Sequence, residues 1–195
     1  MKKYKGAERM SMTYPLKVAG LTRELTLCPV NENLYIAGFV IFGDVELTVA
    51  CARELLKKAP EYDILITAEA KGIPLAYEMA RQAGTNRYLI ARKVPKLYMK
   101  NVFTVKVNSI TTAKEQTLCI DQKDADFMRG RRVLIVDDVI STGESLRAVE
   151  ELVRQAGGNI VGKMAILAEG DATLRDDIIY LEKLPLFNPD GTEKA

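Results

Sequence analysis

Histidine is absent from the 195 residues of the chain, and cysteine is scarce, at three. Without histidine, neither a Ser-His nor a Cys-His nucleophile pair can form, and histidine-ligated metal sites are excluded. Acid–base work must therefore come from carboxylates, lysine, tyrosine, water or the substrate. Cys28, Cys51 and Cys119 are odd in number and far apart, which favours free thiols in a reducing cytoplasm over a disulfide framework.

Long apolar runs and a strong charge imbalance are also missing. No apolar run approaches the roughly 18–20 residues that cross a bilayer. The basic N-terminus has no apolar stretch behind it, so we expect no signal peptide. A net charge of +2 gives no indication of nucleic-acid binding. With 48% hydrophobic residues, we expect one cytoplasmic domain over residues 1–195, with no membrane and no nucleic-acid partner.

From about Asp44 onward, short apolar runs alternate with segments of helical periodicity. The predicted strands are 63–68, 87–92, 132–138, 159–169 and 177–184, and the predicted helices are 47–59, 72–84 and 143–158. This alternation indicates right-handed βαβ crossovers. We therefore predict an α/β fold, a twisted parallel sheet with helices on both faces, in which ligands sit beyond the carboxyl ends of the strands.

Two regions fall outside this alternation. Residues 92–124 form a long polar excursion that includes the alternating run "VFTVKV", which predicts a mobile β-ribbon. Residues 1–43 fit no βαβ unit, so we expect a small N-terminal lobe beside a core of residues 44–184. The last residues, 188–195, have the composition of a frayed tail.

The most specific stretch is "RRVLIVDDVISTGESL", residues 131–146, where a buried strand runs into two aspartates and a polar loop opens a helix. Backbone N–H groups and hydroxyls at a helix start form a phosphate cradle. Its candidate residues are Ser141, Thr142, Gly143, Glu144 and Ser145. Beside it, Asp137 and Asp138 suit the hydroxyls of a ribose, or Mg²⁺ with its retained water. Taken alone, the two aspartates also suit a plain strand end followed by a Ser or Thr helix cap. The spacing does not match GxxxxGK[ST], which excludes a P-loop NTPase.

The string "VLIVDDVISTGES" resembles the phosphoribosyl-pyrophosphate (PRPP) signature of type I phosphoribosyltransferases, most of all the adenine and xanthine members of the purine type. The resemblance implies their Rossmann-like fold, with the N-terminal lobe as a hood over the base. It also implies that Asp137 and Asp138 are catalytic, holding the ribose hydroxyls and, through water, a Mg²⁺ cofactor. Residues 141–145 would then wrap the 5-phosphate. The expected reaction moves the phosphoribosyl group from PRPP to a base nitrogen and releases pyrophosphate.

Two further segments extend the resemblance in the family's order. "AEAKGIP", residues 68–74, resembles the pyrophosphate loop, and "ARKVPKLY", residues 91–98, stands where the family has a basic pair and a mobile catalytic loop. The pyrophosphate-binding residues that this implies are Glu69, Ala70, Lys71, Gly72, Arg92, Lys93 and Lys96. Each segment alone suits a plain βα turn or a solvated charge cluster equally well. Glu115, within the same excursion, is our hypothesis for the group that takes the base proton.

The motif does not specify the base. Hypoxanthine and guanine members usually carry an acid where this chain has Ser141, whereas adenine members carry a small residue. We therefore rank adenine first, xanthine second and orotate third. The base would lie under apolar surface from residues 27–42 and beside residues 168–171. A non-catalytic PRPP sensor is the alternative from another class, although no basic recognition helix is evident. By analogy alone, the family resemblance also implies a homodimer.

Overall fold

The computed structural model describes residues 12–108 and 115–194, without the side chains of Asn108, Glu115 and Gln116. Its strands are β1 (Thr13–Val18), β2 (Leu21–Asn31), β3 (Leu34–Ala37), β4 (Ile64–Ala68), β5 (Leu89–Ala91), β6 (Val102–Asn108), β7 (Glu115–Asp121), β8 (Arg132–Ile140), β9 (Asn159–Glu169), β10 (Ile179–Leu184) and β11 (Leu186–Phe187). Its helices are α1 (Val45–Leu56), α2 (Gly72–Gln82), α3 (Gln122–Met128) and α4 (Glu144–Gln155), and a 3-10 helix, Gly170–Leu174, follows β9.

Five parallel strands form the central sheet in the order β10-β9-β8-β4-β5. From β4 the chain moves outward to β5, and it later returns to place β8 on the other side of β4. The winding direction therefore reverses between β4 and β8. In open α/β sheets, ligands bind outside the carboxyl ends of the strands at such a reversal. The predicted parallel α/β fold is confirmed.

Both faces of this sheet are covered by helices, so its strands are continuous apolar runs. On β8, Leu134 and Val136 pack into the cluster that contains α1 and α2. The alternate residues, Val133 and Ile135, pack into the cluster that contains α4. The helices therefore lie on both faces of the sheet, as predicted.

A second, antiparallel sheet contains β1, β2, β3 and β11 in that order. The inward residues of β1 and β2, together with Phe187 of β11, join the same apolar cluster as α1 and α2. The N-terminal lobe expected from the sequence therefore includes a strand from the C-terminus. Periodicity could not reveal that strand, because a two-residue strand has no repeat.

The segment after β11, expected to be a frayed tail, folds back on this lobe as far as Lys194. The Asn188 N–H donates to the Thr192 carbonyl at 2.8 Å, and the Lys194 N–H donates to the Leu186 carbonyl at 2.7 Å. These hydrogen bonds pair the backbone groups of the segment and so order it. Composition alone cannot predict such pairing.

The β-ribbon expected in residues 92–124 is present as the hairpin β6–β7. Its apolar residues Val105, Leu118 and Ile120 are buried in the cluster that contains α4. Arg92 and Cys119 exchange two backbone hydrogen bonds of 2.8 Å, which join the hairpin to the end of β5. The described part of the ribbon is therefore packed on the core. Its connecting residues, 109–114, lie outside the described residues.

The three cysteines are unpaired, as predicted, and Cys51 and Cys119 are buried. Burial is the main cause that raises the pKa of the Cys51 thiol to about 12, so this thiol is protonated at neutral pH. None of the described helices is long and apolar enough to span a bilayer.

Candidate functional site

A cavity of about 410 Å³ opens where β4 and β8 end, at the reversal of the sheet. Among the residues that line it are Glu69, Ala70, Lys71, Lys93, Asp137, Asp138, Ser141, Thr142, Gly143 and Ser145. Three segments that are far apart in the chain thus meet in one cavity. Four other predicted site residues, Gly72, Arg92, Lys96 and Glu144, are not part of the cavity wall.

The acidic pair lies within β8, because this strand continues to Ile140. The expected strand end at Asp138 is therefore wrong. Pairing with β9 extends through Val139 and Ile140, which lie opposite Leu167 and Ala168. Adjacent strand residues point to opposite faces, and Asp138 is 3% exposed whereas Asp137 is half-buried. Both still line the cavity.

Asp138 forms an ion pair with the lysine that follows β4. Lys71 Nζ lies 2.7 Å from Asp138 Oδ2. Apart from this ion pair, the buried Oδ2 has no hydrogen-bond partner among the described residues. Buried carboxylate oxygens nearly always accept a hydrogen bond. Asp138 can therefore accept a donor that a ligand would bring, such as a hydroxyl group.

Asp137 is held in an apolar, negatively charged setting. Its Oδ1 accepts the Asp138 N–H at 2.9 Å. Burial, and then the charge of Asp138, raises the pKa of Asp137 to about 7. The start of α2 comes very close, because a Cβ on Gly72 would lie 2.1 Å from Thr67 Oγ1 and 3.0 Å from Asp137 Oδ1. Only glycine therefore allows α2 to begin against this acid.

The exchange Asp137→Asn is expected to stabilise the ligand-free protein at pH 8. An acid whose folded pKa exceeds its unfolded value binds extra protons when folded, so stability falls as pH rises from about 4 to about 7. Since one pKa unit corresponds to about 1.4 kcal/mol, we expect a gain of about 1–3 kcal/mol at pH 8 and none at pH 3. Urea unfolding at both pH values measures this difference.

The matched control for that measurement is Asp63→Asn. A hydrogen bond from Arg132 is the main cause that lowers the pKa of Asp63, so its contribution has the opposite sign. This control should lose stability at pH 8 and change little at pH 3. A gain for Asp137→Asn that is equal at both pH values would contradict the assignment.

The polar loop after β8 presents an uncapped helix start. Gly143 is the N-cap of α4 with φ of 76°, a left-handed conformation that glycine adopts without strain. No side chain caps α4, so the alternative of a Ser or Thr cap is not what the structure shows. The Glu144 N–H is 3.5 Å from Thr142 Oγ1, at the limit of a hydrogen bond. Uncapped helix starts bind anions such as phosphate.

Two of the predicted cations gather around Glu69 at the edge of the cavity. Arg92 Nη1 donates to Glu69 Oε1 at 2.9 Å, and Lys96 Nζ lies 3.8 Å from the same oxygen. The Glu69 side chain therefore positions cations, and it has no donor to offer an anion. Glu115 begins β7, but its side chain lies outside the described residues, so its role as a proton acceptor stays a prediction.

Sequence reasoning missed one cation that lies beside the loop. Arg175 follows the 3-10 helix, and its Nη1 is so near Gly143 that a Cβ there would lie 2.7 Å away. Glu169, at the end of β9, was expected only as part of the base-binding segment. Burial raises the pKa of Glu169 and the charge of Lys71 opposes this, which links the end of β9 to the site.

The acidic pair can contribute to a magnesium site but cannot complete one. The described residues contain no group of three or more His, Cys, Asp or Glu side chains that could hold a metal ion. Mg²⁺ prefers six oxygen ligands and keeps several waters. Asp137 and Asp138 therefore fit this ion only when a ligand and water supply the other oxygens.

Sequence comparison identifies relatives of this chain. The phosphoribosyl transferase domain family matches residues 44–185. An orotate phosphoribosyltransferase from Caldanaerobacter subterraneus is 31% identical over 146 residues, which cover 74% of this chain and 65% of that protein. The chain thus spans slightly less than two thirds of that relative. An adenine phosphoribosyltransferase from Oenococcus oeni is 34% identical over 124 residues, which cover 63% of this chain and 67% of that protein.

Structure comparison gives the same fold. The crystal structure of an adenine phosphoribosyltransferase from Thermoanaerobacter pseudethanolicus matches with a TM-score of 0.67 at 22% identity, over 82% of this chain and 95% of that chain. This likeness confirms the type I phosphoribosyltransferase fold that the motif implied. Since the family match covers well over half of the residues and includes all three segments of the cavity, the chain belongs to the phosphoribosyl transferase domain family.

Proposed function

We propose that this protein transfers the 5-phosphoribosyl group of PRPP to a purine base, with adenine as the preferred base, and releases pyrophosphate. The observation that carries the proposal is the single cavity whose wall joins an acidic pair, a lysine and an uncapped helix start. PRPP has a matching group for each of them, namely ribose hydroxyls, pyrophosphate and the 5-phosphate.

The ribose and the 5-phosphate would bind along β8 and the loop after it. Asp138, whose buried Oδ2 accepts no hydrogen bond from the described part of the chain, would accept a ribose hydroxyl, and Asp137 would accept the second one. The backbone of residues 141–145 and the start of α4 would hold the 5-phosphate. This orientation directs the other end of the ribose toward the loop after β4.

The pyrophosphate would lie against Lys71, Lys93 and the backbone of residues 70–72. In the transition state the bond from C1 to pyrophosphate lengthens, so negative charge grows on pyrophosphate while positive charge grows on the ribose. Cations placed at the leaving group stabilise this separation of charge more than they stabilise the ground state. No histidine is needed for such a reaction, which agrees with the composition of the chain.

Asp137 and Asp138 would hold Mg²⁺ together with water and PRPP oxygens, and the ion would supply further charge neutralisation to the leaving pyrophosphate. Burial and the charge of Asp138 raise the pKa of Asp137, so this acid is partly protonated near neutral pH. Mg²⁺ held by the two acids would favour the ionised form of Asp137.

The base would approach from the segment that connects β3 to α1. Phe39 and Ile41 are buried, whereas Val40 and Phe42 between and after them are 60% and 49% exposed. These exposed side chains offer apolar surface for a planar base. The base nitrogen forms a bond to C1 as pyrophosphate leaves, and its proton passes to an acceptor, for which Glu115 is our candidate. We also retain the homodimer as a prediction from the family resemblance.

The proposal is tested by measuring pyrophosphate release from PRPP and Mg²⁺ with adenine, xanthine, hypoxanthine, guanine, orotate and uracil in turn. We expect adenine to give the highest kcat/KM, because Ser141 is the small residue typical of adenine members and an adenine relative is 34% identical. Faster pyrophosphate release with xanthine or with orotate would show that this base, and not adenine, is the preferred substrate. Tight PRPP binding without release for any base would favour a PRPP sensor.

A further inference from the structure

Arg175 lies at the start of α4, although the chain places it about thirty residues after the loop. Its Nη1 approaches Gly143 so closely that a Cβ on that residue would lie 2.7 Å from it. Gly143 is the residue whose left-handed backbone begins α4. Arg175 does not line the cavity itself, whereas Gly143, which its Nη1 approaches, does.

One edge of the Arg175 guanidinium is hydrogen-bonded to a carboxylate, and the other edge has no acceptor among the described residues. Its Nε and Nη2 donate to Asp177 Oδ1 and Oδ2, each at 2.8 Å, which is a bidentate pair. No described residue accepts a hydrogen bond from Nη1. The Nη1 hydrogens therefore remain for an oxygen ligand beside Gly143, while the other edge stays fixed by Asp177.

A chain of ion pairs holds Asp177 in turn. Lys163 Nζ contacts Asp177 Oδ2 and lies 3.3 Å from Glu150 Oε1, and Glu150 also accepts from Arg154 Nη2 at 2.7 Å. The Lys163 and Glu150 side chains are largely buried, at 15% and 11% exposure. This network joins α4, β9 and Arg175, so the position of Arg175 depends on packed elements and not on a loop alone.

The network is unbalanced in sign. It contains three cations and two anions, and Arg175 is the cation at its end nearest the loop. The Arg175 guanidinium therefore lies beside the start of α4, whose N-cap makes no side-chain hydrogen bond and where the helix dipole favours an anion. Two independent features point to the same place: a guanidinium edge with no acceptor among the described residues, and a helix whose N-cap makes no side-chain hydrogen bond.

We propose that Arg175 is a specificity residue for the phosphate end of the ribose, binding the 5-phosphate through Nη1 at the rim of residues 141–145, with Asp177 and Lys163 as its positioning residues. This inference rests on the proposed function, because it takes the 5-phosphate to lie in that loop. It adds a cation outside the sequence motif, and this cation would select a phosphorylated ribose over ribose itself.

The test measures ligand binding by calorimetry, so it does not depend on turnover. The probes are ribose 5-phosphate, and pyrophosphate with Mg²⁺, which occupies the other end of the cavity. A hydrogen bond to a charged group contributes about 1.5–3 kcal/mol. We therefore expect Arg175→Gln to weaken ribose 5-phosphate binding by about 10-fold or more while pyrophosphate binding stays within about twofold of the original protein.

Arg132→Gln is the matched control, because Arg132 also pairs with an aspartate, Asp63, but lies at the opposite end of β8. It should leave both affinities unchanged. Arg175→Lys keeps the charge without the fork and should recover part of the loss. Unchanged ribose 5-phosphate binding in Arg175→Gln, or an equal loss for both ligands, would overturn the proposal.

Asp177→Asn gives a second measurement if Arg175→Gln does not fold. This variant keeps Arg175 but removes the carboxylate charge that fixes one edge of the guanidinium. Ribose 5-phosphate binding should therefore weaken by a smaller factor than in Arg175→Gln. Unchanged binding would overturn the positioning role of Asp177.

The proposed function can fail independently of this inference. In that case the original protein would bind ribose 5-phosphate in an Arg175-dependent manner and yet release pyrophosphate with none of the bases.

Discussion

Replacing Asp137 and Asp138 together by asparagine is expected to weaken PRPP binding about 100-fold or more and to remove measurable transfer. A hydroxyl that donates to an ionised carboxylate contributes about 1.5–3 kcal/mol, and each 1.4 kcal/mol corresponds to a factor of ten. Asparagine has nearly the same shape and still accepts a hydrogen bond, but it cannot attract Mg²⁺ as a carboxylate does. Calorimetric titration with PRPP and Mg²⁺ measures the loss.

The control for this double exchange removes two carboxylates from the far end of the sheet. Glu61→Gln with Asp63→Asn deprives Arg132 of both partners, which lie at 2.6 and 2.9 Å. This variant should bind PRPP like the original protein, because β8 begins at Arg132 and the cavity lies at its other end. If the Asp137 and Asp138 variant keeps its PRPP affinity, the ribose assignment is wrong.

Replacing Lys71 by alanine is expected to lower kcat/KM by about 100-fold, with most of the loss in kcat. Removal of one group that stabilises developing charge typically costs about 100-fold to 1,000-fold in kcat. Lys71 lies at the leaving pyrophosphate in our proposal, and it also neutralises Asp138, whose side chain is 4% exposed. A buried charge without its partner is destabilising, so a lower melting temperature should accompany the kinetic loss.

Two variants separate these effects. Lys71→Arg keeps the positive charge and should retain much of the rate. Lys57→Ala breaks an ion pair of 2.8 Å with Glu54 outside the cavity and should change neither constant. A fall in stability for Lys71→Ala without any fall in kcat would show that Lys71 only supports Asp138.

The parts of the fold that follow from periodicity were predictable from the sequence. Buried runs such as the one around Leu134 alternate with amphipathic helices, and this alternation predicts a parallel sheet whatever the details of packing. The β11 strand was not predictable, because its two residues gain their structure from pairing with β3. The end of β8, predicted at Asp138, was also wrong, since pairing with β9 carries the strand beyond the two aspartates to Ile140.

Some residues of the candidate site could likewise be predicted from the sequence, and others could not. Asp138 and Gly143 stand in one short motif, so their proximity is a consequence of chain connectivity. Lys71 was predictable because the carboxyl ends of parallel strands meet at one edge. Arg175 was not, because its contact with Gly143 depends on a 3-10 helix, and no local pattern specifies where that helix directs the chain.

The ion pairs at the pyrophosphate end have a consequence for how this site responds to its surroundings. Lys71 pairs with Asp138, and Arg92 and Lys96 share Glu69, so these three cations have two protein carboxylates as counterions. An incoming polyanion must take the place of protein carboxylates, whereas on a bare basic surface it would displace dissolved salt ions. Its binding free energy is then a difference between two sets of short-range pairs, so we expect it to depend less on bulk ionic strength than binding to a bare basic surface would.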